Sequence, residues 1–195
     1  FTPAFADNID TEIKSVFGEN LDKIITPDKI RGNYATLEDA VLAGNWPTVG
    51  ESRGKFIFTM EGKAVDDYLE GHPSLQGRAM FVMAEPGKPE AAFTEENDPI
   101  KGQEKIKKNV AKGYLVRTRA DEPNRQNKTN NYSQMNAAFS SGAQVVSTDY
   151  YRAAPKHKLY PNMFTDYTCK FPTGELARIN PISAADKQNI GKIAE

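Results

Sequence analysis

The sequence predicts an α/β fold built on parallel strands, and three observations carry that expectation. Short apolar runs of strand length recur along the chain without the in–out alternation of a half-solvated sheet. Amphipathic helical stretches separate them, and parallel strands need such crossovers. Four strand–helix units fit in 195 residues, where a full (β/α)8 barrel takes about 250. The units therefore belong either to an open doubly wound sheet or to half of a barrel. No glycine-rich phosphate loop of the GxGxxG or GxxxxGK[ST] type follows any strand, which disfavours the nucleotide-binding versions.

The elements follow in order. Residues 8–17 place Ile9, Ile13, Val16 and Phe17 on one helical face, and Gly18 stops the helix. A second start lies at Thr26-Pro27, and Thr36 to Asp39 forms a capping box for a short helix closed by Gly44. The first strand is 55–60 (KFIFTM), followed by a short helix over 64–70 and a His72-Pro73 turn. The second strand is 79–83 (AMFVM), and Pro86, Gly87 and Pro89 mark a loop after it. A lysine-rich helix spans 100–112, ends at Gly113, and leads into the third strand, 114–118 (YLVRT). A helix over 132–141 ends at Gly142 before the fourth strand, 143–148 (AQVVST). One more strand is expected around 164–171.

Composition narrows the function classes. Against 26 acidic residues stand 25 Lys and Arg, for a net charge of −1. No global basic field argues for nucleic acid, and no apolar run is long enough to span a membrane. The lone Cys169 excludes an intrachain disulfide and leaves a pairing with another chain open. The chain begins at Phe1, which is expected where an upstream segment such as a signal peptide has been removed.

In parallel α/β folds the chemistry gathers at the carboxyl ends of the strands. The first end offers Thr59 and Glu61, and the second Glu85. The third carries Arg117, Arg119 and Asp121, and the fourth Ser147 through Tyr151, with Asp149 and Tyr150 as candidates. Period-two alternation puts Arg117 and Arg119 on one strand face, about 7 Å apart. Two such guanidiniums suit a phosphate. A rim network in which Asp121 holds one arginine is the alternative. Asp149 either orients an arginine, binds a metal, or caps a following helix. The lysines 105, 107, 108 and 112 either touch anionic lipid or form a solvated helix face. His72 and His157, the two histidines, sit in turn-like surface contexts.

Taken together, RGKFIFTMEG (53–62), HPSLQGRAMFV (72–82), AAFTEENDP (91–99), GYLVRTRAD (113–121), AAFSSGAQVVSTDYY (137–151) and ARINP (177–181) resemble one family in order and spacing. They are similar to the carboxyl-terminal half of the secreted, Ca2+-dependent phosphoinositide-specific phospholipase C-like proteins, from about residue 26 to residue 181. The resemblance implies the second half of a TIM (β/α)8 barrel, strands five to eight, over residues 1–195. An amino-terminal half-barrel chain or segment would complete it as a heterodimer. It further implies a secreted phosphodiesterase of lipid metabolism, with phosphoinositide as substrate and peripheral membrane contact. The resemblance places the catalytic histidines and the main Ca2+ ligands on the missing half and assigns no catalytic residue or metal ligand to this chain.

By the same resemblance, Arg117 falls where an arginine contacts the substrate phosphate in the wider superfamily. Arg119 stands where a tyrosine packs on inositol in the eukaryotic enzymes. Thr59 and Glu61 stand in place of their phosphate-binding lysines. The implied mechanism is deprotonation of the inositol 2-hydroxyl, its attack on the adjacent phosphodiester, and protonation of the leaving diacylglycerol oxygen. Ca2+ and arginine would stabilise the phosphoryl charge. The alternative function is a non-catalytic phosphate- or inositol-binding module, or a structural subunit.

Overall fold

The computed structural model describes residues 2–184 apart from 124, 157, 173 and 176. The chain forms two compact units. One comprises residues up to Glu95 together with Lys112–Tyr114, and the other comprises Glu96–Ala111 and Leu115 onward.

In the amino-terminal unit, helix α1 spans Pro3–Phe17, five residues more than its apolar period requires at the front. Thr2 explains the early start: its hydroxyl caps the Phe5 N–H, and Pro3 has no N–H to leave unpaired. Gly18, at φ 50°, ends the helix as expected. The buried face is largely the one the apolar period marks, with Ile9, Ile13 and Phe17 half-buried beside Ala6 and Asp10. Val16 is exposed, while Ala6 and Asp10 are buried. Asp10 accepts bonds from Arg78 Nη1 (3.0 Å) and the Ala79 N–H (2.9 Å), and Arg78 itself is almost fully buried. A buried pair needs such further bonds to offset its desolvation.

Helices α2 (Pro27–Arg31) and α3 (Leu37–Leu42) pack together. The expected capping box is present at Thr36 and Asp39, and α3 buries Leu37, Ala40 and Val41. A one-turn helix, α4 (Val49–Ser52), precedes the first strand, and α5 (Val65–Leu69) follows it. Strand β1 is only Thr59–Met60, pairing in parallel with β2, Phe81–Val82. Parallel bridges extend this order on both sides, Ile24 to Phe56 and Met83 to Phe93.

Phe93 opens β3 (Phe93–Glu95), a strand absent from the expectations above. It lies after a loop with no helix between it and β2, so the crossover signal was missing. Trp46, Phe81 and Phe93 form an aromatic cluster with centroids 5.2–5.9 Å apart. The expected burial of the 55–60 run fails: Phe56, Ile57 and Thr59 are exposed.

In the second unit, α6 (Gln103–Ala111), α7 (Gln126–Thr129) and α8 (Ser133–Ser141) accompany β4 (Leu115–Arg119) and β5 (Val145–Ser147). The two strands are parallel, with Arg117 opposite Val145 and Arg119 opposite Ser147. Helices α6 and α8 pack on β4 and on each other. Their buried Ile106, Val110 and Ala138 account for the burial of Val116 and Thr118 on that face of the strand. The expected strand at 164–171 is not one. That stretch is an irregular segment held by the Thr165 N–H on the Asn127 carbonyl (2.8 Å) and the Cys169 N–H on that of Tyr150 (2.8 Å). Five strands thus stand among the described residues: the four units keep theirs, β3 is added, and the strand expected at 164–171 is lost.

Candidate functional site

Strand β4 sorts its residues strictly by parity. Val116 and Thr118 are buried, whereas Leu115, Arg117 and Arg119 are half-buried on the opposite face. The two arginines thus share the face that the helices leave uncovered, at the carboxyl end of the strand. A small cavity of about 190 Å³ opens there, lined by Arg117, Arg119, Asp121, Pro123, Ser147, Thr148 and Asp149. Four of the strand-end candidates meet in it: Arg117, Arg119, Asp121 and Asp149.

Asp121 does not hold an arginine. Its buried carboxylate accepts from Thr148 Oγ1 (2.6 Å), the Asp149 N–H (2.9 Å) and the Tyr167 hydroxyl (3.2 Å). The rim network is therefore built from Asp121 to the loop after β5, and it fixes the cavity wall. The Arg119 guanidinium makes no hydrogen bond or ion pair among the described residues. Asp149 is exposed and no helix follows it, so it caps nothing. Tyr150 lies just outside the cavity, its ring edge-on to Tyr167 at 5.7 Å.

Tyr167 is the residue the sequence reading missed. It is fully buried, stacks on Tyr132 at 4.7 Å, and donates to Asp121. Burial, reinforced by the Asp121 charge, raises its hydroxyl pKa far above the usual tyrosine range. Its position in a Thr-Asp-Tyr-Thr stretch carries no periodic signal, because its partners are distant in sequence. Cys169 is a free, half-buried thiol in the same segment. Burial is the main cause that pushes its pKa up to about 11.

The remaining candidates lie elsewhere. Glu61 and Glu85 are exposed residues of the amino-terminal unit, at the ends of β1 and β2. His72 sets Nδ1 2.7 Å from the Gln76 carbonyl, with Nε2 3.9 Å from Asp7. His157 lies outside the described residues. The lysines of α6 do not form a bare basic face. Lys105 pairs with Glu96 (3.5 Å) and Lys107 with Glu104 (2.8 Å).

Among the described residues no group of three or more His, Cys, Asp or Glu side chains is arranged to hold a metal ion. The one buried carboxylate of the cavity already accepts three protein donors. The donor set present therefore does not fit Ca2+. No helix among the described residues is long and apolar enough to cross a membrane.

The model of the family described as phosphoinositide phospholipase C, Ca2+-dependent, matches residues 1–181. The chain belongs to this family. The match reaches to the first residue, well before residue 26, where the resemblance is expected to start, so it takes in helix α1. A solved structure of a Ca2+-dependent phosphatidylinositol-specific phospholipase C enzyme from Streptomyces antibioticus is similar, with a TM-score of 0.54 at 19% identity. The likeness covers 73% of this phospholipase C-family chain and 57% of that chain, so this chain spans less than two thirds of that enzyme's length. At that identity the likeness is one of fold. No curated protein matches the chain.

Proposed function

We propose that this chain supplies the phosphate-holding half of a phosphoinositide phospholipase C-like phosphodiesterase, a TIM barrel completed by another chain or segment. The single observation that carries the reading is the placement of Arg117 and Arg119. They lie on one uncovered face at the carboxyl end of β4, beside a cavity of about 190 Å³ that has room for a phosphate group. The family supplies the reaction class. The coverage of 57% of the Streptomyces enzyme supports a completing segment. So does the exposure of apolar residues at the strands, Phe56 and Ile57 just before β1 in one unit and Val145 in β5 of the other.

In this reading the inositol 2-hydroxyl loses its proton to a base on the completing segment. Its oxygen then bonds to phosphorus as the bond from phosphorus to the glycerol oxygen breaks. An acid on the same segment protonates that departing oxygen, leaving diacylglycerol and a cyclic phosphodiester. Arg117 and Arg119 donate to the non-bridging phosphoryl oxygens, where negative charge grows as the new bond forms. Asp121, Thr148 and Tyr167 hold the β5 loop so that this wall does not move. The Ca2+ of the family would be bound by the completing segment, and the protein would act outside the cell.

The test is Arg117→Lys and Arg119→Lys in the assembled enzyme, with turnover and thermal midpoint measured together. Lysine keeps the charge and loses the bidentate fork. Loss of turnover on the order of 10²-fold at a near-normal midpoint is expected, with the larger loss at Arg117. Near-normal turnover with earlier melting would reduce both to structural rim residues.

A further inference from the structure

We propose that Asp149 is the specificity-determining residue of the arginine cavity. It accepts a hydroxyl of a polyol phosphate and turns away a headgroup that carries a second negative charge. The inference rests on the phosphate-holding reading and deepens it. Strand register stacks the cavity in levels: Arg117 stands opposite Val145, and Arg119 opposite Ser147. One level further out, the same parity sets Asp121 opposite Asp149. The Asp149 N–H bonds to the Asp121 carboxylate there at 2.9 Å. All of these residues except Val145 line the one cavity of about 190 Å³.

The two acids of the outermost level differ in what they have left to offer. Asp121 is buried, and its oxygens accept from Thr148 Oγ1, the Asp149 N–H and the Tyr167 hydroxyl. The Asp149 carboxylate is exposed, and among the described residues it makes no hydrogen bond or ion pair. Neither does the Arg119 guanidinium one level below. The cavity therefore presents an unpaired cation and an unpaired anion to one ligand. Because Asp121 is saturated, Asp149 has no second free carboxylate with which to hold a cation. Ser147 and Thr148 add no donor for a second anion. Their hydroxyl protons go to the Thr118 carbonyl (3.1 Å) and to Asp121 (2.6 Å).

Successive levels along a strand face lie about 7 Å apart. A phosphate held at the arginine levels thus brings the group esterified to it to the level of Asp149. A ring hydroxyl that takes no part in the reaction donates there to the carboxylate, in a charge-assisted bond. A ring phosphate at that level meets like charge. Free phosphate reaches the arginines and gains nothing from Asp149.

The experiment is titration of the full chain, followed by nuclear magnetic resonance, with inorganic phosphate, myo-inositol 1-phosphate and myo-inositol 1,4-bisphosphate. The monophosphate ester should bind about tenfold more tightly than either of the others, the size of one charge-assisted hydrogen bond. Asp149→Asn keeps an acceptor and removes the charge, so the bisphosphate should then bind as tightly as the monophosphate. Asp149→Ala removes both, and the advantage of inositol 1-phosphate over free phosphate should vanish. The side chain is exposed, so both variants should keep the parent's thermal midpoint. Arg119→Lys should weaken all three probes alike. Equal affinities in the parent chain, or a ranking that survives both Asp149 variants, would overturn the role of Asp149. The arginine reading then stands if Arg119→Lys still weakens binding. Absence of binding, or affinities indifferent to Arg119→Lys, would instead sink the phosphate-holding reading and this proposal with it.

Discussion

Asp121 accepts three hydrogen bonds, two from the loop after β5 and one from Tyr167, both segments distant in sequence. Parity along β4 places its side chain on the arginine face, but only the fold shows that Thr148 and Tyr167 occupy its oxygens. Asp121→Ala should therefore lower unfolding free energy by about 3 kcal/mol, since it strands buried donors. Tyr167→Phe should lower it by about 1 kcal/mol. Denaturant midpoints measure both. The neighbouring thiol gives a pH prediction. Cys169 holds its proton to about pH 11 in the folded chain, against about 9 for an ordinary thiol. The folded state thus binds more protons between those values, and its contribution to stability falls as pH rises through that window. At pH 9, alkylation of the folded chain should be about 50-fold slower than that of the unfolded chain.

Elements were legible where their signals are local. Caps and glycine stops act within one turn, so the ends of α1 at Gly18 and of α8 at Gly142 agree with expectation. The capping box at Thr36 does too, and Thr36→Ala should cost about 1 kcal/mol in thermal unfolding. Gly113, between α6 and β4, has a reason the sequence could not show. It sits at φ +100°, and a Cβ there would come within 2.7 Å of the Val41 carbonyl oxygen. Gly113→Ala should therefore destabilise by about 2 kcal/mol or more, measured by the same melting experiment. Strands were less legible, because a strand is completed by its neighbour. The 55–60 run shrank to Thr59–Met60, β3 was missed, and 164–171 is an irregular segment despite its aromatic residues.

For the whole molecule, the expectation to test is completion. The refolded chain by itself should cleave no phosphoinositide, and addition of the completing segment with Ca2+ should yield activity that a chelator removes. Mass and a denaturing gel of the purified enzyme would show a second chain travelling with this one.

What the sequence determined by itself was the class of fold, the helix ends, and the shared face of Arg117 and Arg119. All three depend on spacing along a few residues, and its motifs also marked the family to which the chain belongs. The tertiary structure decided the rest. It turned Asp121 toward the β5 loop, buried Tyr167 against it, buried Asp10 with Arg78, and left Phe56 and Ile57 exposed. Each of those outcomes depends on which distant segment arrives to pair with or cover a residue. Periodicity records only which side of its own element a residue occupies, and it carries no trace of what meets that side.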